Sequence, residues 1–251
     1  MKKQLIITFT AAASLLSLPV KADDDLNKWN GFYGGVNVGH ASGTNHVDSL
    51  NGLSNTNLVG GEGSFSPLTE HLSGGFGGAQ AGYNFQKDRF VYGIEADIQK
   101  SHITGNANTN IYTNACEFGC SGLAPSGAQN LEQKINWFST IRGRFGYSIE
   151  NVLFYGTAGL ALADVKADIT NYSGGTNTGS YLSDSRTQFG WTAGAGVEWM
   201  IYKNWILDAQ YLRISLNKED FHFQDNANSI TLINQNNSDF NAFKIGINYK
   251  F

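Results

Sequence analysis

Charged side chains are scarce in this 251-residue chain, where Asp, Glu, Lys and Arg make up 15 %, against about a quarter in an ordinary soluble domain. Proline is rarer still, with 3 residues, and there are 2 cysteines. Beyond residue 22 no apolar run reaches the length of about 18 residues that a membrane-spanning helix needs, so no helix crosses a bilayer there. A helical metalloprotease motif, a phosphate-binding glycine loop and a serine-nucleophile elbow are all missing. The expectation is a protein that is not an enzyme and carries neither a metal nor a resident cofactor. What the chain has instead is 30 glycines and 13 % aromatic residues. That combination suits a closed sheet whose outer face needs no charge.

The first residues read as a signal peptide over residues 1–22. Lys2 and Lys3 form a positive start, Leu5 to Leu18 an apolar run, and Val20-Lys21-Ala22 supplies small residues for cleavage near Ala22. Removing Lys2, Lys3 and Lys21 from 17 basic residues leaves 14 against 21 acidic ones, which excludes nucleic acid as a partner. An exported chain meets oxidising conditions, so Cys116 and Cys120 are expected to close a small disulfide loop. No histidine lies near enough to them to complete a zinc site.

Period-two alternation runs through the rest. The last segment is the clearest: Phe243, Ile245, Ile247, Tyr249 and Phe251 alternate with Lys244, Gly246, Asn248 and Lys250, giving a strand with one apolar face. Seven more segments repeat the pattern. They start near Asn30 (Phe32, Val36, Val38), Gly74 (Ala79, Ala81, Tyr83, Phe85), Phe90 (Tyr92, Ile94, Ile98), Ile135 (Trp137, Ile141, Phe145, Tyr147), Val152, Phe189 (Trp191, Val197, Trp199) and Trp205 (Leu207, Tyr211). On the segment that begins at Val152 both parities are apolar or small, and the uncharged odd set, Leu153 to Ala167, is assigned to the outer face. Long polar stretches, Ala41–Ser73, Ile103–Lys134, a Gly/Ser/Thr/Asn stretch ending at Thr187 and Asn217–Asp239, alternate with short ones at Gln86–Arg89, Ser148–Asn151 and Tyr202–Asn204. Aromatics gather at both ends of the apolar faces. Paired loop lengths and two aromatic girdles are the marks of an eight-stranded antiparallel transmembrane β-barrel. Short turns would face the periplasm and four long loops the outside, with residues 23–28 a short periplasmic segment and 29–251 the barrel. A soluble barrel with its apolar face inward shares the alternation but not the girdles.

Several motifs carry a resemblance: Trp29-Asn-Gly-Phe-Tyr-Gly-Gly35, Gly78-Ala-Gln-Ala-Gly-Tyr83, Tyr92-Gly-Ile-Glu-Ala-Asp97, Arg142-Gly-Arg-Phe-Gly-Tyr147, Tyr155-Gly-Thr-Ala-Gly-Leu160 and Gly190-Trp-Thr-Ala-Gly-Ala-Gly-Val-Glu198. They resemble the porin-family outer-membrane proteins of alphaproteobacteria, small OmpA-like eight-stranded barrels. The resemblance covers the strands and none of the long loops. It implies an outer-membrane location and assembly through the final strand, whose terminal Phe251 the β-barrel assembly machinery would read. Some such proteins bind hemin at the cell surface, which would make His40, His46, His71, His102 and His222 candidate axial ligands. Others modify lipopolysaccharide from the outer rim, where His40, His102 and Ser101 are candidates, but the parity of both histidines is that of the outward residues.

Inward parity carries Glu95, Asp97, Glu198 and Asp208 with Arg142, Arg144 and Lys244. Such charges in a narrow lumen should pair, because isolated buried charges are costly. Eight strands leave room only for side chains, so little or no porin-size channel is expected. Lys100 and Arg213 share the outward parity just past the apolar span, where they would meet lipopolysaccharide phosphates. The reading is a barrel with structural, envelope-integrity and surface-interaction roles, whose partners are outer-membrane lipids and a host or hemin ligand at the loops. The alternatives are a hemin-binding surface protein and a small-solute porin.

Overall fold

The computed structural model describes residues 27–51, 68–114, 123–173, 176–217, 219–221 and 233–251. Its strands are β1 Gly31–Asn51, β2 Leu68–Lys87, β3 Phe90–Asn114, β4 Leu123–Ile149, β5 Val152–Ser173, β6 Thr176–Tyr202, β7 Trp205–Leu216, β8 Glu219–Phe221 and β9 Ile233–Lys250. Each pairs antiparallel with the next as far as β7, which pairs with β9, and β9 returns to β1. Eight strands therefore close a ring, and the three-residue β8 merely continues the β7 ladder along the outer end of β9. Closure leaves no unpaired edge, the condition for a sheet in hydrocarbon.

The short connections tighten to two residues each, 88–89, 150–151 and 203–204. The first residue of each takes a left-handed backbone, with φ of 55° at Asp88, 53° at Glu150 and 42° at Lys203. That conformation is uncommon for a side chain-bearing residue and belongs to tight reversals. The outer face carries the expected residues: Phe32, Val36, Val38, Ile94, Ile98, Ile141, Phe145, Trp191, Tyr211 and Ile245 are all exposed. Near the short turns the rings touch in sequence. Phe32 lies 4.5 Å from Tyr83 between ring centres, Phe85 is stacked on Tyr92 at 5.5 Å, and Tyr249 joins Trp205 at 5.2 Å and Phe251 at 5.3 Å.

Three expectations are corrected. Two of the stretches read as long loops, Ile103–Lys134 and the one ending at Thr187, are largely strand: β3 and β4 stay paired as far as Asn114 opposite Leu123, and β5 and β6 as far as Ser173 opposite Thr176. Above the lipid both faces of a strand meet water, so the apolar alternation stops while the backbone ladder continues. At about 3.3 Å per residue and a tilt near 45°, the 27 residues of β4 rise about 60 Å, far above an apolar band about 25 Å tall.

The second correction concerns β5. Its odd residues Leu153, Tyr155, Ala161, Ala163 and Val165 are buried in the lumen, whereas Phe154 and Leu160 are 53 % and 68 % exposed. Residues directly across a ladder share a face, and Phe154 lies opposite the outward Tyr147, Gly156 opposite Phe145. A charge-free face marked lipid elsewhere, but on β5 the lumen is apolar too.

The third lies on β4. A register shift against β5 between Ile135 and Trp137 turns Ile135 into the lumen instead of outward and leaves Asn136 exposed. An extra residue reverses the facing of everything beyond it.

Candidate functional site

The lumen is filled in three layers. At its centre the seven charged residues on inward parity stand together, all buried. Arg142 on β4 donates from Nη2 to Glu95 Oε1 and, at 2.7 Å, to Asp97 Oδ2, both on the neighbouring β3, and from Nη1 to Gln210 Oε1 at 2.9 Å. Arg144 donates to Glu95 Oε2 at 3.1 Å, lies 2.9 Å from Glu198 Oε1 and places its guanidinium 3.9 Å over the ring of Tyr155. Lys244, from β9 across the lumen, donates to Asp97 Oδ2 at 3.1 Å and Gln80 Oε1 at 2.9 Å. The guanidinium forks match carboxylates on two sides at once.

Asp208 is the exception. Among the described residues its oxygens receive only neutral donors, Tyr155 Oη at 2.7 Å and Gln80 Nε2 at 3.3 Å, and it stands directly opposite Glu198 in the β6–β7 register. Four carboxylates thus face three cations, and hydroxyl and amide groups complete the cage. Tyr33 donates to Glu95 Oε2 at 2.6 Å, and Gln210 donates to Glu95 Oε1 at 3.1 Å. These polar helpers, Tyr33, Gln80, Tyr155 and Gln210, escaped the sequence reading. Inward parity was the one signal for Tyr33, Gln80 and Gln210, and it does not say which neutral residue meets a charge, whereas Tyr155 stood on the parity that had been assigned outward.

Apolar layers close both ends. On the outer side Phe138 packs edge-on against Phe76 at 5.2 Å and Phe240 at 5.7 Å, with Leu72, Ile103, Ile135, Leu212 and Ile214 around them. On the periplasmic side Trp29, Val91, Leu153, Tyr155 and Ile206 form a second cluster. Trp29 comes from the segment before β1 and is tied in by its backbone N–H, which donates to Gln86 Oε1 at 2.8 Å.

The outer rim does not gather its candidates. His40, His71 and His102 are exposed on β1, β2 and β3, and His40 Nε2 lies 3.3 Å from Ser73 Oγ. Ser101 instead points inward, its hydroxyl donating to the Ile135 carbonyl at 2.5 Å, so it shares no site with the two rim histidines. The side chain of His46 lies outside the described residues, as do His222 and the Cys116–Cys120 pair. Arg213 holds Asp239 at 2.8 Å, whereas Lys100 is exposed and has no carboxylate partner among the described residues.

The chain is 35 % identical over 239 residues to the 31 kDa outer-membrane immunogenic protein of Brucella melitensis, covering 94 % of this chain and 89 % of that one. It is 33 % identical over 179 residues to the 22 kDa outer membrane protein of Rhizobium leguminosarum, covering 70 % and 67 %. Among solved structures it is similar to Neisserial surface protein A, at 17 % identity and a TM-score of 0.41 over 88 % of this chain and 97 % of that one. Residues 8–251 match the family described as outer membrane protein beta-barrel domain. With a closed ring, a lipid-facing apolar belt and a filled lumen already in place, the family match and the two sequence relatives agree on one assignment: the chain is an outer-membrane protein and belongs to the outer membrane protein beta-barrel domain family.

Proposed function

We propose that the protein is a non-conducting structural barrel of the outer membrane, without catalytic activity, whose strand extensions make the contacts at the cell surface. One observation carries this: the lumen is blocked three times over, by the Phe76–Phe138–Phe240 layer, the ion-pair layer and the Trp29 layer. A small-solute porin needs a wet path, and eight strands leave room only for side chains. In planar bilayers wild-type protein should show no steady open state of porin size. Large, stable conductance steps would make the porin reading lead.

Hemin gains no support from geometry. His40 and His102 point outward on separate strands, so a hemin held by both would lie against the lipid side. The name of the Brucella melitensis relative calls it immunogenic, and the extended outer ribbons of β1 to β6 are the surfaces that antibodies or host ligands would meet here. Phe251 is 78 % exposed and anchored by its N–H to the Phe32 carbonyl at 2.9 Å, which leaves its aromatic side chain open to the assembly machinery.

Orientation has its own test. Trypsin should cut at Lys87, Arg89 and Lys203 only after the outer membrane is permeabilised, because these lie at the tight turns. Cleavage there on intact cells would invert the barrel.

A further inference from the structure

The outer face of β2 is floored with small residues. Its outward positions from the rim downward are Gly75, Gly77, Ala79 and Ala81, and the strands on either side carry bulk as far down as Ala79, while Ala81 stands between Gly34 and Ala96. In register with them stand His40, Val38 and Val36 on β1 and Lys100 and Ile98 on β3, with His102 two residues above Lys100. The result is a trough one strand wide. Its walls stand about 10 Å apart, two strand spacings, and run about 13 Å from Gly75 to Ala79.

Barrel packing does not demand these two glycines. A Cβ on Gly75 would find its nearest atom at 3.8 Å and one on Gly77 at 3.4 Å. Both have ordinary extended backbones. By contrast, a Cβ on inward Gly74 or Gly78 would run into the carbonyl of His102 or Ile98. Glycine weakens a strand interior, so two outward glycines without a packing reason keep a channel open. At its lower end the trough widens into a cavity of about 240 Å³ bounded by Ala81, Ala96, Ile94 and the Phe32–Tyr83 ring pair.

The upper end is cationic and uncompensated. Elsewhere on the described rim each cation has a carboxylate: Lys134 has Glu132 at 3.0 Å, Lys166 has Asp168 at 3.1 Å, Arg186 has Asp184 at 3.0 Å and Arg213 has Asp239 at 2.8 Å. Lys100 has none among the described residues, and His40 and His102 stand beside it. Lys100 lies just past Ile98 and opposite Trp137, at the boundary between apolar band and polar rim.

We propose that this trough docks one acyl chain of a phosphorylated outer-leaflet glycolipid, lipid A, with the hydrocarbon over Gly75 to Ala81 and a phosphate held by Lys100, His40 and His102. An apolar channel ending in a lysine without a carboxylate among the described residues, flanked by two exposed histidines, complements an acyl chain that ends in a phosphate. Lipopolysaccharide contact is thereby one-sided, on β1–β3 and away from Arg213. The proposal rests on the membrane reading above, but lipid retention is independent of barrel orientation and of conductance, so each can fail alone.

The test uses the full folded protein in phosphatidylcholine vesicles doped with lipid A, dephosphorylated lipid A or phosphatidylglycerol, with retained lipid counted by native mass spectrometry. Wild-type protein should retain one lipid A and hold the dephosphorylated form about tenfold more weakly. Lys100→Ala with His40→Ala and His102→Ala should lose about the same factor. Gly75→Val with Gly77→Val should lose lipid A while unfolding no sooner than wild type in phosphatidylcholine alone. If the valine pair fails to fold, the Lys100 triple variant decides by itself. Wild-type retention of lipid A by the folded variants would overturn the proposal, as would equal retention of dephosphorylated lipid A or phosphatidylglycerol by the wild type.

Discussion

Arg142→Met should destabilise the folded barrel by about 3–5 kcal/mol, the range for breaking a buried pair from one side. Arg142 is 1 % exposed and is the bridge between Glu95 and Asp97. Methionine keeps apolar bulk at the position but leaves two carboxylates on one strand, two residues apart, facing the same lumen. Arg144 still reaches Glu95 and Lys244 still reaches Asp97, so the network is damaged rather than erased. Glu198→Gln is the informative contrast. It removes a carboxylate from a layer that has one too many, and Arg144 retains Glu95 and the Tyr155 ring. Its effect should stay within about 1 kcal/mol. Urea unfolding in lipid vesicles, followed by tryptophan fluorescence and by mobility on gels without heating, reads both. Equal midpoints for wild type and Arg142→Met would mean that the ion layer holds nothing together.

Phe138→Ala should cost a similar amount, about 3–5 kcal/mol, for a different reason. Phe138 is the middle ring of the outer layer, touching Phe76 on one side and Phe240 on the other. Truncation opens a cavity lined by Leu72, Ile103 and Leu212, which cannot collapse inside a hydrogen-bonded ring. Each lost ring pair adds about 0.5–1.5 kcal/mol beyond area. Phe138→Leu should recover more than half of the loss. Like the Arg142 effect, this one should change little with salt, because both layers are buried. The bilayer should stay silent in Phe138→Ala, since the ion and Trp29 layers still block the path. Steady conductance from this single variant would show that the outer layer alone closes the barrel.

The chain by itself determines which residues share a face. Lipid rewards apolar residues every second position, so Phe243 to Phe251 and Phe32 to Val38 declare their strands. Tight turns declare themselves where two such runs nearly meet, and the parity that unites Glu95, Asp97, Arg142, Arg144 and Lys244 is likewise a property of the sequence. What parity does not contain is the side of the sheet a face will occupy once both sides are apolar. On β5 only the register against β4, with Phe154 beside Tyr147, sends Leu153 and Tyr155 inward. A one-residue irregularity turned Ile135 from lipid to lumen in the same way.

The strand extensions were invisible for a related reason: beyond the lipid, two wet faces leave no alternation, and only backbone pairing defines the strand. Partners within the lumen were decided last, by closure. Bringing β9 and β7 around to β1 placed Lys244 against Asp97 and left Asp208 with Tyr155 and Gln80. It also carried Asp239 to Arg213, leaving Lys100 as the rim cation without a carboxylate among the described residues. These contacts join residues more than a hundred positions apart in some cases, as Lys244 and Asp97 are, and ring closure, not local pattern, sets which of them meet.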